Sequence, residues 1–189
     1  MLFTNKIMMA SSVLTVLLFV VLAAPAFGDT AKQNEAPPLQ VANQLSDFKR
    51  TAFEMRREAD TLKSFTPNKR LSWQSHTYRL EALKNHVNKM GKSLAELEAL
   101  KPMATESQGM AIEHARPHLA SVAQNLTQAI ELVRENRNNV LWGEYGEAVS
   151  NIYAHADALH TKLDTIFDYE NARIRFDSLE LQPTSTGGS

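Results

Sequence analysis

Between Trp73 and Leu97 the chain places Trp73, His76, Leu80, Leu83, Val87, Met90, Leu94 and Leu97 at alternating steps of four and three. That rhythm is the footprint of an α-helix burying one seam, because residues three and four apart share a helix face. Three further stretches repeat it. Val41, Leu45, Phe48, Ala52, Met55, Ala59 and Leu62 form one seam, and Ile112, Ala115, Leu119, Val122, Leu126, Ala129 and Val133 another. Tyr145, Val149, Ile152, Ala156, Leu159, Leu163 and Ile166 form the last, in a helix expected to continue through Ile174 to Leu179. Four long amphipathic rods with short connections predict an all-α, up-down-up-down four-helix bundle over residues 39–181.

The breaks between seams have chemical causes. Thr66-Pro67-Asn68 ends the first helix, since proline cannot continue one and disfavours helical geometry in the residue before it. Ser72 is placed to cap the second helix, which is expected to stop before Pro102. Gly91 lies inside it at a cost of about 1 kcal/mol relative to Ala, and close approach of a neighbouring helix would account for it. Thr105-Glu106-Ser107-Gln108 has the spacing of a capping box, and Pro117 predicts either a kink in the third helix or its true start. The polar run Asn136 to Asn139 reads as the last turn.

Ahead of the four seams, Lys6 is followed by an almost wholly apolar run from Ile7 to Phe27, ending in Ala24-Pro25-Ala26-Phe27-Gly28. This is the layout of a secretory signal peptide over residues 1–28, with small residues that permit cleavage before Asp29 or before Phe27. An uncleaved anchor is the competing reading, which Pro25 and the small residues disfavour. Residues 29–38 read as a disordered leader and 182–189 as a disordered tail. The expected location is periplasmic or secreted, with no stable membrane insertion once the signal is removed.

Composition narrows the chemistry. Leaving out Lys6, 19 basic side chains face 21 acidic ones, a net charge of −2 with no excess to neutralise nucleic-acid phosphates. The chain has no cysteine, which removes disulfides, thiolate nucleophiles, iron–sulfur clusters and covalent c-type haem together. No Glu stands three residues before any of the six histidines, so the di-metal Glu-x-x-His signature of four-helix oxidases is missing. Gly-rich phosphate loops, nucleophile elbows and His-Glu-x-x-His are missing too. His114 and His118, four apart, form a candidate metal pair, though two ligands make half a site and Pro117 lies between them. His76, at a seam position, is expected to be buried and hydrogen-bonded to a neighbouring helix.

In the expected topology the starts of the second and fourth helices share one end of the bundle. Trp73, Trp142, Phe65, Tyr78, Tyr145 and His76 would gather there, either as a plug for a splayed end or as a small apolar ligand or partner patch. In architecture the mature chain is similar to exported four-helix proteins of bacteria, a likeness that carries over no catalytic residue. These readings point to a non-catalytic protein with no cofactor that works through a protein partner or self-association in the bacterial envelope. A small-molecule, haem or metal carrier using the aromatic end is the alternative. Any dimer surface is expected on the fourth helix beyond Ile166, where Tyr169, Ile174, Phe176 and Leu179 outrun the neighbouring helices unless they pack onto the start of the first.

Overall fold

The computed structural model describes residues 37–68, 70–135 and 142–180. The side chains of Pro37, Pro38 and Trp142 fall outside that description, as do the expected signal peptide, the tail and the turn at Asn136 to Asn139. The protein is all-α: α1 spans Pro37–Phe65, α2 Trp73–Leu100, α3 Glu106–Glu135 and α4 Trp142–Glu180, and no strand occurs among the described residues. A short 3-10 turn, Lys101–Met103, carries Pro102 between α2 and α3.

Helix α1 begins at Pro37, two residues inside the stretch expected as a leader. Proline is accepted there because the first turn of a helix has no intrahelical use for the missing N–H. At the start of α3 the reciprocal capping box is complete. Gln108 N–H donates to Thr105 Oγ1 at 3.3 Å, and Thr105 N–H donates to Gln108 Oε1 at 3.0 Å. With that start secured, α3 runs unbroken through Pro117, which is therefore not where the helix begins. Burial of Ala115 and Leu119 on either side outweighs the roughly 3 kcal/mol that an interior proline costs. Ser72 stands at the cap position of α2 with extended backbone but makes no side-chain cap; its Oγ lies 3.4 Å from Ser75 Oγ instead.

Every seam residue of α1 and α3 is buried, as are His76, Leu80, Leu83, Met90, Leu94 and Leu97 of α2 and Tyr145 to Leu163 along the seam of α4. Each helix packs on its sequence neighbours and α1 closes on α4, while α2 and α4 make no close backbone contact. Residue pairs across the helix boundaries descend on one helix as they ascend on the other. Lys49 meets Asp164 at 2.7 Å and Arg56 meets Asp157 at 2.5 Å between α1 and α4. Between α1 and α2, Glu58 meets Arg79 at 3.1 Å and Glu54 lies 3.9 Å from His86. Glu98 meets Arg116 at 2.5 Å between α2 and α3. Lys101, just past α2, pairs with Glu113 and holds that exposed carboxyl below the usual range.

One expectation about packing is overturned, and one alternative is not realised. A Cβ built on Gly91 would meet nothing within 4 Å, so no neighbouring helix approaches it closely. Gly91 instead lines an open groove of about 730 Å³ between α2 and α3, with Val87, Leu94, Ala95, Leu119 and Ala123. Nor does the end of α4 fold back onto α1. Every residue from Asn171 to Glu180 is exposed, with Tyr169, Ile174, Phe176 and Leu179 each 56–66% accessible. Helix α4 has 39 residues against 28–30 for the others, and the surplus lies in this stretch.

Candidate functional site

Of the six residues singled out in sequence, His76, Tyr145 and Phe65 come together. His76 and Tyr145 are fully buried, and His76 Nδ1 lies 2.9 Å from the Tyr145 hydroxyl. Phe65 stacks edge-on against the same imidazole at 6.1 Å, and the His76 and Tyr145 rings are themselves edge-to-face at 5.4 Å. The bond ties α2 to α4, the two helices whose backbones stay apart. Burial pushes the His76 pKa below its ordinary value and raises that of the Tyr145 phenol, so both are held neutral at physiological pH. The bond between the buried imidazole and phenol is suited to fixing the register of these two helices, because moving either group away would take this bond from a buried polar atom.

Trp73 lines a cleft of about 200 Å³ between α2 and α3, with Thr77, Leu80, Ile130, Val133 and the charged side chains Glu81 and Arg134. Tyr78 stands 71% exposed. The Arg79 guanidinium links it to the cluster, 5.5 Å from the ring centres of both Tyr78 and Phe65 and also bonded to Glu58. The Trp142 side chain lies outside the described residues.

His114 is exposed, whereas His118 turns toward α4, where its ring lies 5.8 Å from that of His155. Burial is the main reason the His118 pKa is lowered, with repulsion from His155, His114 and Lys162 added to it. Among the described residues, no group of three or more His, Asp or Glu side chains is disposed to hold a metal ion. None of the described helices is long and apolar enough to cross a membrane.

Sequence reasoning passed over one pattern that the structure makes plain. Lys49, Arg56 and Lys63 recur every seven residues on α1, and all three face α4. Lys49 reaches Asp164 and lies 4.9 Å from the Phe167 ring centre; Arg56 reaches Asp157; Lys63 sits 4.4 Å from the ring centre of Tyr153. The heptad spacing of the cations, matched by Asp157 and Asp164 seven apart, was the readable signal. Compared with protein-family models, with curated proteins and with solved structures, the chain matches none.

Proposed function

We propose that the chain is an exported, non-catalytic helical protein that acts through protein–protein contact in the bacterial envelope, and that its four helices form an up-down-up-down bundle behind a cleaved signal peptide. The topology is supported by pairs whose numbering runs in opposite senses across a boundary. Lys49–Asp164 and Arg56–Asp157 do so between α1 and α4, and Glu54–His86 and Glu58–Arg79 between α1 and α2. Export is supported by the layout of residues 1–28, with Asp29 as the mature start. A protein recovered from its export compartment should have the mass of residues 29–189, and an intact N-terminus would refute the cleavage.

The single observation that carries the interaction reading is the end of α4, where Tyr169, Phe176 and Leu179 stand in solvent on one side of the helix and Ile174 on another. Monomeric proteins rarely leave this much apolar surface in one stretch unless something covers it. The reading is tested by placing a photo-crosslinking residue at position 176 in the exported protein. Crosslinks to a protein, lost when Leu179→Glu is added to the same chain, are expected; a chain that crosslinks to nothing from this stretch would overturn the reading.

The cleft beside Trp73 favours a second reading, a carrier of a small apolar molecule. Its roughly 200 Å³, apolar lining and neighbouring Glu81 and Arg134 are features of a ligand pocket, although small for one. Saturable quenching of Trp73 fluorescence by small aromatic compounds in a Trp142→Phe background, lost when Thr77→Phe fills the cleft from its exposed side, would favour it.

A further inference from the structure

The exposed end of α4 carries a second amphipathic pattern, distinct from the seam that builds the core. Around a straight helix, Tyr169, Ala172, Phe176 and Leu179 point roughly 150° away from the direction shared by Ile152, Ala156, Leu159 and Leu163. The seam's own direction is shared at this point by Glu170, Arg173, Asp177 and one large apolar residue, Ile174. Tyr169, Ala172, Phe176 and Leu179 thus form a separate stripe that faces away from the domain. The side chain of Glu170, which accepts from Thr105 Oγ1 at 3.3 Å, marks the last tie to the start of α3.

The stripe follows the 3-4-3 spacing of a two-heptad coiled-coil seam, with Tyr169 and Phe176 at a and Ala172 and Leu179 at d. The flanking g and e positions are then Asp168, Arg173, Arg175 and Glu180. All four are exposed, and none is ion-paired within its own chain among the described residues. In a parallel, in-register pair, each g residue meets the e residue five positions later on the other strand. Asp168 then faces Arg173 of the second copy, and Arg175 faces its Glu180. Symmetry doubles both pairs, so every flanking contact is attractive. An antiparallel pair would instead bring Arg173 near Arg173 and Arg175 near Arg175. From these charges we infer that the partner of the α4 extension is a second copy of this chain, joined as a short parallel coiled coil. The inference rests on the interaction reading above and names its partner.

The area agrees with a weak, reversible dimer. Side chains of this size exposed by 58–66% at Tyr169, Phe176 and Leu179, with the flanking stems, bring the pair to about 1,000 Å², the lower limit of a specific interface. Because the stripe faces away from the core seam, each domain lies on the outer side of the pair and the two do not compete for space.

Sedimentation equilibrium at low ionic strength, over a wide concentration range, tests this. A monomer–dimer equilibrium weakened by salt is expected. Arg175→Glu sets like charges opposite each other twice and should weaken association about tenfold, whereas the swap Arg175→Glu with Glu180→Arg should restore it. Since the chain has no cysteine, Ala172→Cys provides an orientation test: parallel pairing yields a disulfide-linked dimer on mild oxidation. In a mixture of Ala172→Cys and Phe176→Cys chains, preferential joining of one variant to the other would mean antiparallel pairing and overturn the inference. So would a dimer indifferent to Arg175→Glu, or a chain that stays monomeric throughout. A monomer that still crosslinks from position 176 to a different protein would remove the second copy as partner and leave the interaction reading standing. If nothing crosslinks there, both fall.

Discussion

Along α4 one helix does two opposite things. From Tyr145 to Leu163 it hides an apolar side chain every three or four residues; from Tyr169 to Leu179 it displays them on the same spacing. The outer stretch is the more charged, with four charged side chains in 11 residues against three in 19. What sets Tyr169, Ala172, Phe176 and Leu179 apart is direction, because they point away from the side that the seam buries. Periodicity says that a face wants a partner, and the phase of that periodicity says whether the partner is the fold itself.

The sharpest way to break this contrast is to delete equivalent side chains in the two halves. Ile152→Ala, at 0% exposure, should cost about 2–5 kcal/mol of stability in urea titration. Leu179→Ala, 66% exposed, should lie within about 0.5 kcal/mol of the parent when measured dilute. Similar losses for both would mean that the extension belongs to the core after all.

A second test stays within the buried half. Tyr145→Phe keeps the ring but withdraws the hydroxyl from His76, and an enclosed nitrogen that loses this partner should cost about 1–3 kcal/mol. Acid probes the same pair. His76 and His118 both bind protons less readily in the folded chain than in the unfolded one. Below about pH 6.5 the unfolded state therefore takes up more protons, and stability falls with pH. The melting temperature should drop between neutrality and pH 5, less steeply in His118→Asn; a flat profile would contradict the assigned burial.

The smallest effect concerns α2. Gly91 is exposed, helical and unobstructed, so Gly91→Ala should stabilise the chain by about 0.5–1 kcal/mol. A loss of stability would mean that something requires the open groove beside it.

The helices and their buried seams were legible because each depends on spacing within one segment. Phe48, Leu83, Val122 and Leu159 could be placed in the core from their neighbours three and four residues away. The capping box at Thr105 was legible for the same reason, and both its bonds form. What required the structure was register between segments. His155 became the neighbour of His118 through the depth at which α3 sits against α4. Ser72 and Gly91 illustrate a different failure. The residue type fitted a local role, but the side-chain bond and the close packing that would realise those roles do not form.

The hydrogen bond between His76 and Tyr145 spans 69 positions of sequence, and three cations of α1 look to α4 as well. A chain folding from its N-terminus can assemble α1, α2 and α3 only around an imidazole whose phenol has yet to arrive and cations still waiting for Asp157 and Asp164. Such a three-helix collapse is poor in free energy and has an open apolar side. The last segment to be made therefore decides when the earlier ones settle, and the domain should fold in one step, with no long-lived partial form.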